Sequence, residues 1–179
     1  TKKNGQPYNV YTDGLKVYTT IDSRMQRYAE EAVNEHVVKF LQPAFNKENR
    51  GKKNAPFSGK LTAKQFNDIL GRSVKQSERY RVMNSQGATY DEIYKSFHTP
   101  TKMSIFTYHG EVDTTMTPID SIKYYKSFLR CGFMSMSPIN GAVKAYVGGL
   151  NFIHFNYDMC TEGRRQVGST IKPFLYSLA

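Results

Sequence analysis

The chain has 179 residues, 39% of them apolar and 22% charged, with a formal net charge of +10 at pH 7. This composition excludes a charge-dominated disordered chain. No apolar run approaches the ~20 residues of a membrane-spanning helix and no signal peptide opens the sequence, so the chain is expected to be soluble or to be the soluble part of a longer polypeptide.

Residues 1–14 are polar, punctuated by Gly5, Pro7 and Gly14, and read as a lead-in loop. "LKVYTT" (15–20) alternates and is rich in β-formers, which predicts a strand. Asp22 or Ser23 then caps a helix whose apolar face runs through Met25, Ala29, Ala32, Val33 and Val37 and stops near Gln42, where Pro43 discourages continuation. The segment 46–60 is a basic loop, densest in "KENRGKKN" (47–54). Such a patch attracts nucleic acid, acidic lipid or acidic wall polymer, or is simply a solvated loop. Short helices are expected at 62–71, 74–87 and 89–97, the last with Thr89 and Glu92 at capping-box spacing.

From residue 102 the pattern turns to β. "KMSIFTYHGEVDTTMTP" predicts a hairpin around His109–Gly110. Thr117, Pro118 and Asp120 start a helix that runs to Gly132. "FMSMSPINGAVKAYVGG" (133–149) is the clearest hairpin in the chain. A long loop (150–168) leads to a last helix beginning near Ser169. The final "IKPFLYSLA" has no stop signal, so the chain reads as part of a longer polypeptide.

The chemistry-bearing candidate is in "RRQVGSTIKP" (164–173). Ser169 and Lys172 share a helix face at i and i+3. Gly168 leaves room for close approach, and Pro173 is tolerated only near a helix start. A serine hydroxyl needs a base to become a nucleophile, and a lysine made neutral by burial or neighbouring positive charge can supply it. Free N–H groups of the first turn would hold a developing oxyanion. The spacing alone is weak: a chain with this much serine and lysine produces about one S-x-x-K by chance. The competing reading is an N-capping serine beside an exposed lysine.

Three segments together carry a resemblance. "DGLKVYTTIDSRMQRYAEEAV" (13–33), "GFMSMSPINGAVKAYVGG" (132–149) and "RRQVGSTIKPFLY" (164–176), with "NYD" between the last two, resemble in this order the start of the transpeptidase domain of class A, bifunctional penicillin-binding proteins. The likeness is to the type with an insert between the first helix and the central hairpin. It implies an α+β fold, an incomplete β-lactamase-like serine transferase domain. Residues 1–42 would be the linker, first strand and first helix, 43–101 a basic and mainly helical insert, and 102–179 the beginning of the transpeptidase domain. Ser169 is then the nucleophile acylated by the D-Ala-D-Ala end of a peptidoglycan stem peptide, or by a β-lactam. Lys172 is its base, with Arg165 and Gln166 supporting the same loop. The second substrate is the amine of a neighbouring stem peptide. No cofactor, metal or nucleic acid is implied.

The family's later S-x-N and K-T-G motifs are absent from these residues, and their place in chain order lies beyond Ala179. The upstream glycosyltransferase domain and membrane anchor are absent too. The resemblance therefore implies a periplasmic location through a missing anchor, a segment inactive by itself, and an unpaired sheet edge open to self-association. The strands at 15–20, 133–137 and 142–148 are expected to share one antiparallel sheet, with the 23–42 helix packed on it. The alternative is a non-catalytic interaction module of the cell wall. Nucleic-acid binding lacks any motif beyond charge and tyrosines. His154, Asp158 and Cys160 match no standard metal spacing.

Overall fold

A computed structural model describes residues 1–178. The architecture is α+β: seven α-helices, a π-helical stretch and two separate two-stranded antiparallel sheets among the described residues. Helix α1 (Ser23–Val33) is held at its start by Asp22, whose carboxylate accepts from the Arg24 and Met25 N–H groups. Its Ala29 packs against Ala145 and Val147, with Val33 at the edge of the same cluster. The helix then widens into π-type hydrogen bonding over Asn34–Leu41 and continues as α2 (Gln42–Asn49). Pro43 therefore does not end the helix as predicted. The helical backbone runs through it, out of the π-helical stretch and into the first turn of α2.

Helices α3 (Ala63–Gln76), α4 (Glu78–Ser85) and α5 (Tyr90–His98) form the predicted helical segment. Capping boxes at Thr62/Gln65 and Thr89/Glu92 fix the starts of α3 and α5. Helix α3 runs through Gly71, against expectation. A mid-helix glycine costs only about 1 kcal/mol, and the real stop is Ser77, which leaves the helical region and caps α4.

Strands β1 (Thr101–Thr107) and β2 (Gly110–Met116) pair in register from Thr101↔Met116 to Thr107↔Gly110, as the hairpin reading predicted. Helix α6 (Pro118–Lys126), capped by Thr117, is shorter than expected. Tertiary contacts end it. The Gln42 amide, almost fully buried, donates to the Ser127 carbonyl (2.9 Å) and accepts from the Leu129 N–H (2.8 Å) and the Tyr108 hydroxyl (3.3 Å). This clamp turns the chain so that Phe128 enters an aromatic cluster with Phe106, Tyr108, Tyr124 and Phe155.

Strands β3 (Phe133–Met136) and β4 (Val143–Val147) form the second hairpin, with an irregularity at Ser135/Met136. The expected third strand at 15–20 is not formed. Residues 20–26 satisfy the free edge of β4 instead. The Thr20 hydroxyl donates to the Val143 carbonyl (2.6 Å) and the Asp22 N–H to the Lys144 carbonyl (2.9 Å). The Gln26 amide both accepts from the Tyr146 N–H (2.8 Å) and donates to its carbonyl (3.0 Å). One side-chain amide thus imitates a neighbouring peptide unit, meeting the requirement that backbone polar groups be paired. After β4, a short 3₁₀ turn (Gly168–Ile171) leads into α7 (Lys172–Tyr176).

Candidate active site

Two structural units bear on the candidate chemistry: the loop that follows β4 and the turn that carries Ser169. The loop is tied down by Asp158. Its carboxylate accepts from the Tyr146 hydroxyl (2.5 Å), the Cys160 N–H (2.7 Å) and the Thr161 N–H (3.1 Å). These hydrogen bonds, the Tyr146 one first, hold Asp158 below the usual aspartate range and push the Tyr146 phenol up. Gly148 makes the docking sterically feasible: a Cβ there would come within 2.9 Å of the carboxylate. The Met159 N–H adds a bond to the Gly148 carbonyl (2.8 Å).

Upstream in the loop, Phe155 is buried against Phe106, Tyr125 and Phe128, with the Arg130 guanidinium 3.8 Å from its ring centre. His154 lies 3.2 Å from the Glu111 carboxylate of β2 and against the Phe106 ring. The loop is therefore sewn to both hairpins. His154, Asp158 and Cys160, read in sequence as unrelated loop residues, point to separate partners, since the Cys160 sulfur meets the Val147 carbonyl (3.5 Å). Burial pushes both thiols, Cys131 and Cys160, upward, away from the thiolate form that metals and nucleophilic chemistry require.

Ser169 is the second residue of the 3₁₀ turn, where side chains at i and i+3 eclipse. This geometry stacks Ser169 and Lys172 on one face. The Lys172 N–H donates to the Ser169 carbonyl. Gly168 has φ +52°, a left-handed conformation that sets the sharp entry and that glycine adopts without strain. The flanking residues of the 3₁₀ turn and α7, Val167 and Ile171, provide no side-chain cap. Ser169 is thus not the N-cap of either segment. Its hydroxyl makes no hydrogen bond among the described residues, whereas the neighbouring Thr170 hydroxyl is engaged with the Val167 carbonyl (2.5 Å). Pro173 lies in the first turn of α7, as its chemistry demands.

Ser169, Lys172, Arg165 and Gln166 are all exposed. The structure brings serine and lysine to adjacent positions on one turn, with no enclosing cleft formed around them by the described residues. Among the described residues, Arg165 reaches only the Arg164 carbonyl (3.4 Å). The residues that sequence reasoning missed are the anchors, Gln26, Gln42 and Arg130. Glutamine in a helix carries no pattern that distinguishes a solvated amide from a buried clamp. Arg130 could only be found once Phe155 was known to fold beneath it.

The family described as penicillin-binding protein middle domain matches residues 52–129. The match runs from the basic loop through α3–α5, the first hairpin and α6, and it includes most of the segment whose sequence alone suggested no function. The chain is 28% identical over 201 residues to penicillin-binding protein 1A of Vibrio cholerae, an alignment covering 94% of this chain and 24% of the relative. It is 25% identical over 202 residues to penicillin-binding protein 1A of Escherichia coli, covering 96% and 23%. A shorter stretch of 46 residues is 44% identical to penicillin-binding protein 1A of Pseudomonas aeruginosa, covering 26% of this chain and 6% of the relative. No solved structure gives a significant match. The chain spans about a quarter of the length of its long-matching relatives, and these matches, together with the middle-domain match, support a relation to the class A penicillin-binding proteins.

Proposed function

We propose that this chain is part of a peptidoglycan D,D-transpeptidase, with Ser169 as nucleophile and Lys172 as general base. The observation that carries the reading is the conformation of the Gly168–Ile171 turn. The serine hydroxyl is exposed and not used as a cap, and the lysine lies one eclipsed 3₁₀ step beyond it. A serine whose only task was to start a helix would accept from a free N–H two or three residues on. The similarity to penicillin-binding proteins and the order of the segments support the same assignment.

The chemistry follows from the groups. Neutral Lys172 takes the Ser169 proton as the hydroxyl attacks the carbonyl of a D-Ala-D-Ala stem peptide. The tetrahedral intermediate collapses with departure of D-alanine, leaving a serine ester. The amine of a second stem peptide attacks that ester, closing the crosslink and freeing the serine. A β-lactam opens on the same hydroxyl and leaves slowly. Desolvation, which favours a neutral lysine, has to come from walls that the described residues do not form. The chain alone is therefore expected to be inactive, and the whole polypeptide to act on the periplasmic face of the inner membrane. Among the described residues no helix is long and apolar enough to cross a membrane.

The experiment is incubation of the full-length protein with a β-lactam and mapping of the adduct by peptide mass spectrometry. The adduct is expected on Ser169 and lost in Ser169→Ala. A folded, complete protein without an adduct would leave the non-catalytic cell-wall module as the better reading.

A further inference from the structure

We propose that the basic surface between the end of α2 and the start of α3 is a docking site for the carboxylate-bearing strands of peptidoglycan, apart from the Ser169 turn. The choice of polyanion rests on the function proposed above; the surface itself rests on its own geometry. Residues 47–64 hold Lys47, Arg50, Lys52, Lys53, Lys60 and Lys64, all exposed, against a single acid, Glu48. Glu48 pairs with Lys52 at 3.2 Å. The other five cations have no ion-pair partner among the described residues.

In sequence this stretch reads as a solvated loop. The structure adds that it is pinned. The Lys52 N–H donates to the Asn49 carbonyl (3.1 Å), the Ala55 N–H to Lys52 (3.2 Å) and the Phe57 N–H to Asn54 (2.8 Å). The Asn54 amide reaches the Leu61 carbonyl (3.3 Å), and the Phe57 ring packs edge-on against Phe66 of α3 (5.6 Å). A charged surface ordered before binding loses less conformational entropy when a partner arrives.

Three observations choose among polyanions. Five of the six cations are lysines, mobile point charges that suit carboxylates at varied spacing rather than one fixed fork. The segment's aromatic ring, Phe57, is already engaged with Phe66, leaving no platform on which nucleic-acid bases would stack. Its larger apolar residues, Pro56, Phe57 and Leu61, are half-buried, and the exposed Ala63 offers only a methyl group, so no large apolar side chain is free to enter the acyl region of a bilayer. A flexible acidic polymer with repeated free carboxylates fits what remains.

The test is co-sedimentation of the full-length protein with purified peptidoglycan, a β-lactam being present throughout so that the transpeptidase site does not contribute. In water a unit-charge contact changes an affinity by about fivefold at low salt. The variant Lys47→Gln/Arg50→Gln/Lys53→Gln/Lys60→Gln should bind at least about tenfold more weakly, with a shallower salt dependence and an unchanged melting temperature. A control that removes equal charge elsewhere, Lys75→Gln/Lys95→Gln/Lys102→Gln/Lys126→Gln, should stay within about twofold of the wild type. Equal binding by wild type and patch variant, or an equal loss in the control, overturns the proposal. So does tighter patch-dependent binding to anionic phospholipid vesicles or duplex DNA than to peptidoglycan. Absence of a β-lactam adduct on Ser169 with patch-dependent peptidoglycan binding retained would remove the transpeptidase reading alone. A normal adduct with patch-independent binding would remove the docking surface alone.

Discussion

The body of the chain and the turn that carries Ser169 use their side chains in opposite ways. In the body, polar groups are spent on structure: Gln26 completes the edge of β4, Gln42 joins α2 to the end of α6, and Asp158 fastens the loop after β4. At Gly168–Lys172 the serine hydroxyl and the lysine amine make no hydrogen bond or ion pair among the described residues, and both residues are exposed. A group already committed to holding a fold is a poor reagent, and a group that holds nothing can be altered without unfolding anything. The contrast predicts that stability and chemistry are separable by mutation in this chain.

The comparison breaks most visibly if the body proves insensitive. Phe155 packs against Phe106 of the first hairpin, Tyr125, Phe128 and the Arg130 guanidinium. Phe155→Ala should cost about 3–5 kcal/mol of stability in denaturant melts, because it removes a buried ring and leaves a cavity. Gln42→Ala should cost about 1–3 kcal/mol, since it strands the Ser127 carbonyl and Leu129 N–H in a buried place. A neutral result at Gln42 would mean that water replaces the clamp. Arg130→Ala should cost about 1 kcal/mol through loss of its contact with the Phe155 ring.

Acid should act on the body with a definite sign. Hydrogen bonds to their carboxylates hold Asp22, Glu92, Asp120 and Asp158 below their ordinary values. Groups lowered on folding stabilise the native state above their unfolded pKa, and that contribution fades as pH falls through the folded one. Thermal stability should therefore change little between pH 7 and about 5 and decline below about pH 4. A decline that begins near pH 6 would mean that these carboxylates do not set the acid limit.

The hairpins and the two capping boxes were legible in the sequence because each depends on neighbours along the chain. What failed depended on distant residues. "LKVYTT" has the composition of a strand, but the β4 edge was taken by Thr20, Asp22 and Gln26. Pro43 looked like a stop, yet the helix runs through it out of the π-helical stretch. Helix α6 stops at Lys126 rather than Gly132 because Gln42, far away in sequence, claims the backbone at Ser127 and Leu129. The Ser169–Lys172 spacing was visible from the start. Its eclipsed 3₁₀ geometry and the uncommitted hydroxyl were not, because no local pattern separates a capping serine from a free one.

The most direct test is the rate of β-lactam acylation of full-length Lys172→Ala, measured beside its melting temperature. The account predicts that acylation of Ser169 slows by at least about 10³-fold while stability stays within about 0.5 kcal/mol of wild type. Acylation at the wild-type rate, or a loss of acylation matched by a loss of stability, would contradict it: the lysine would then be either idle or structural.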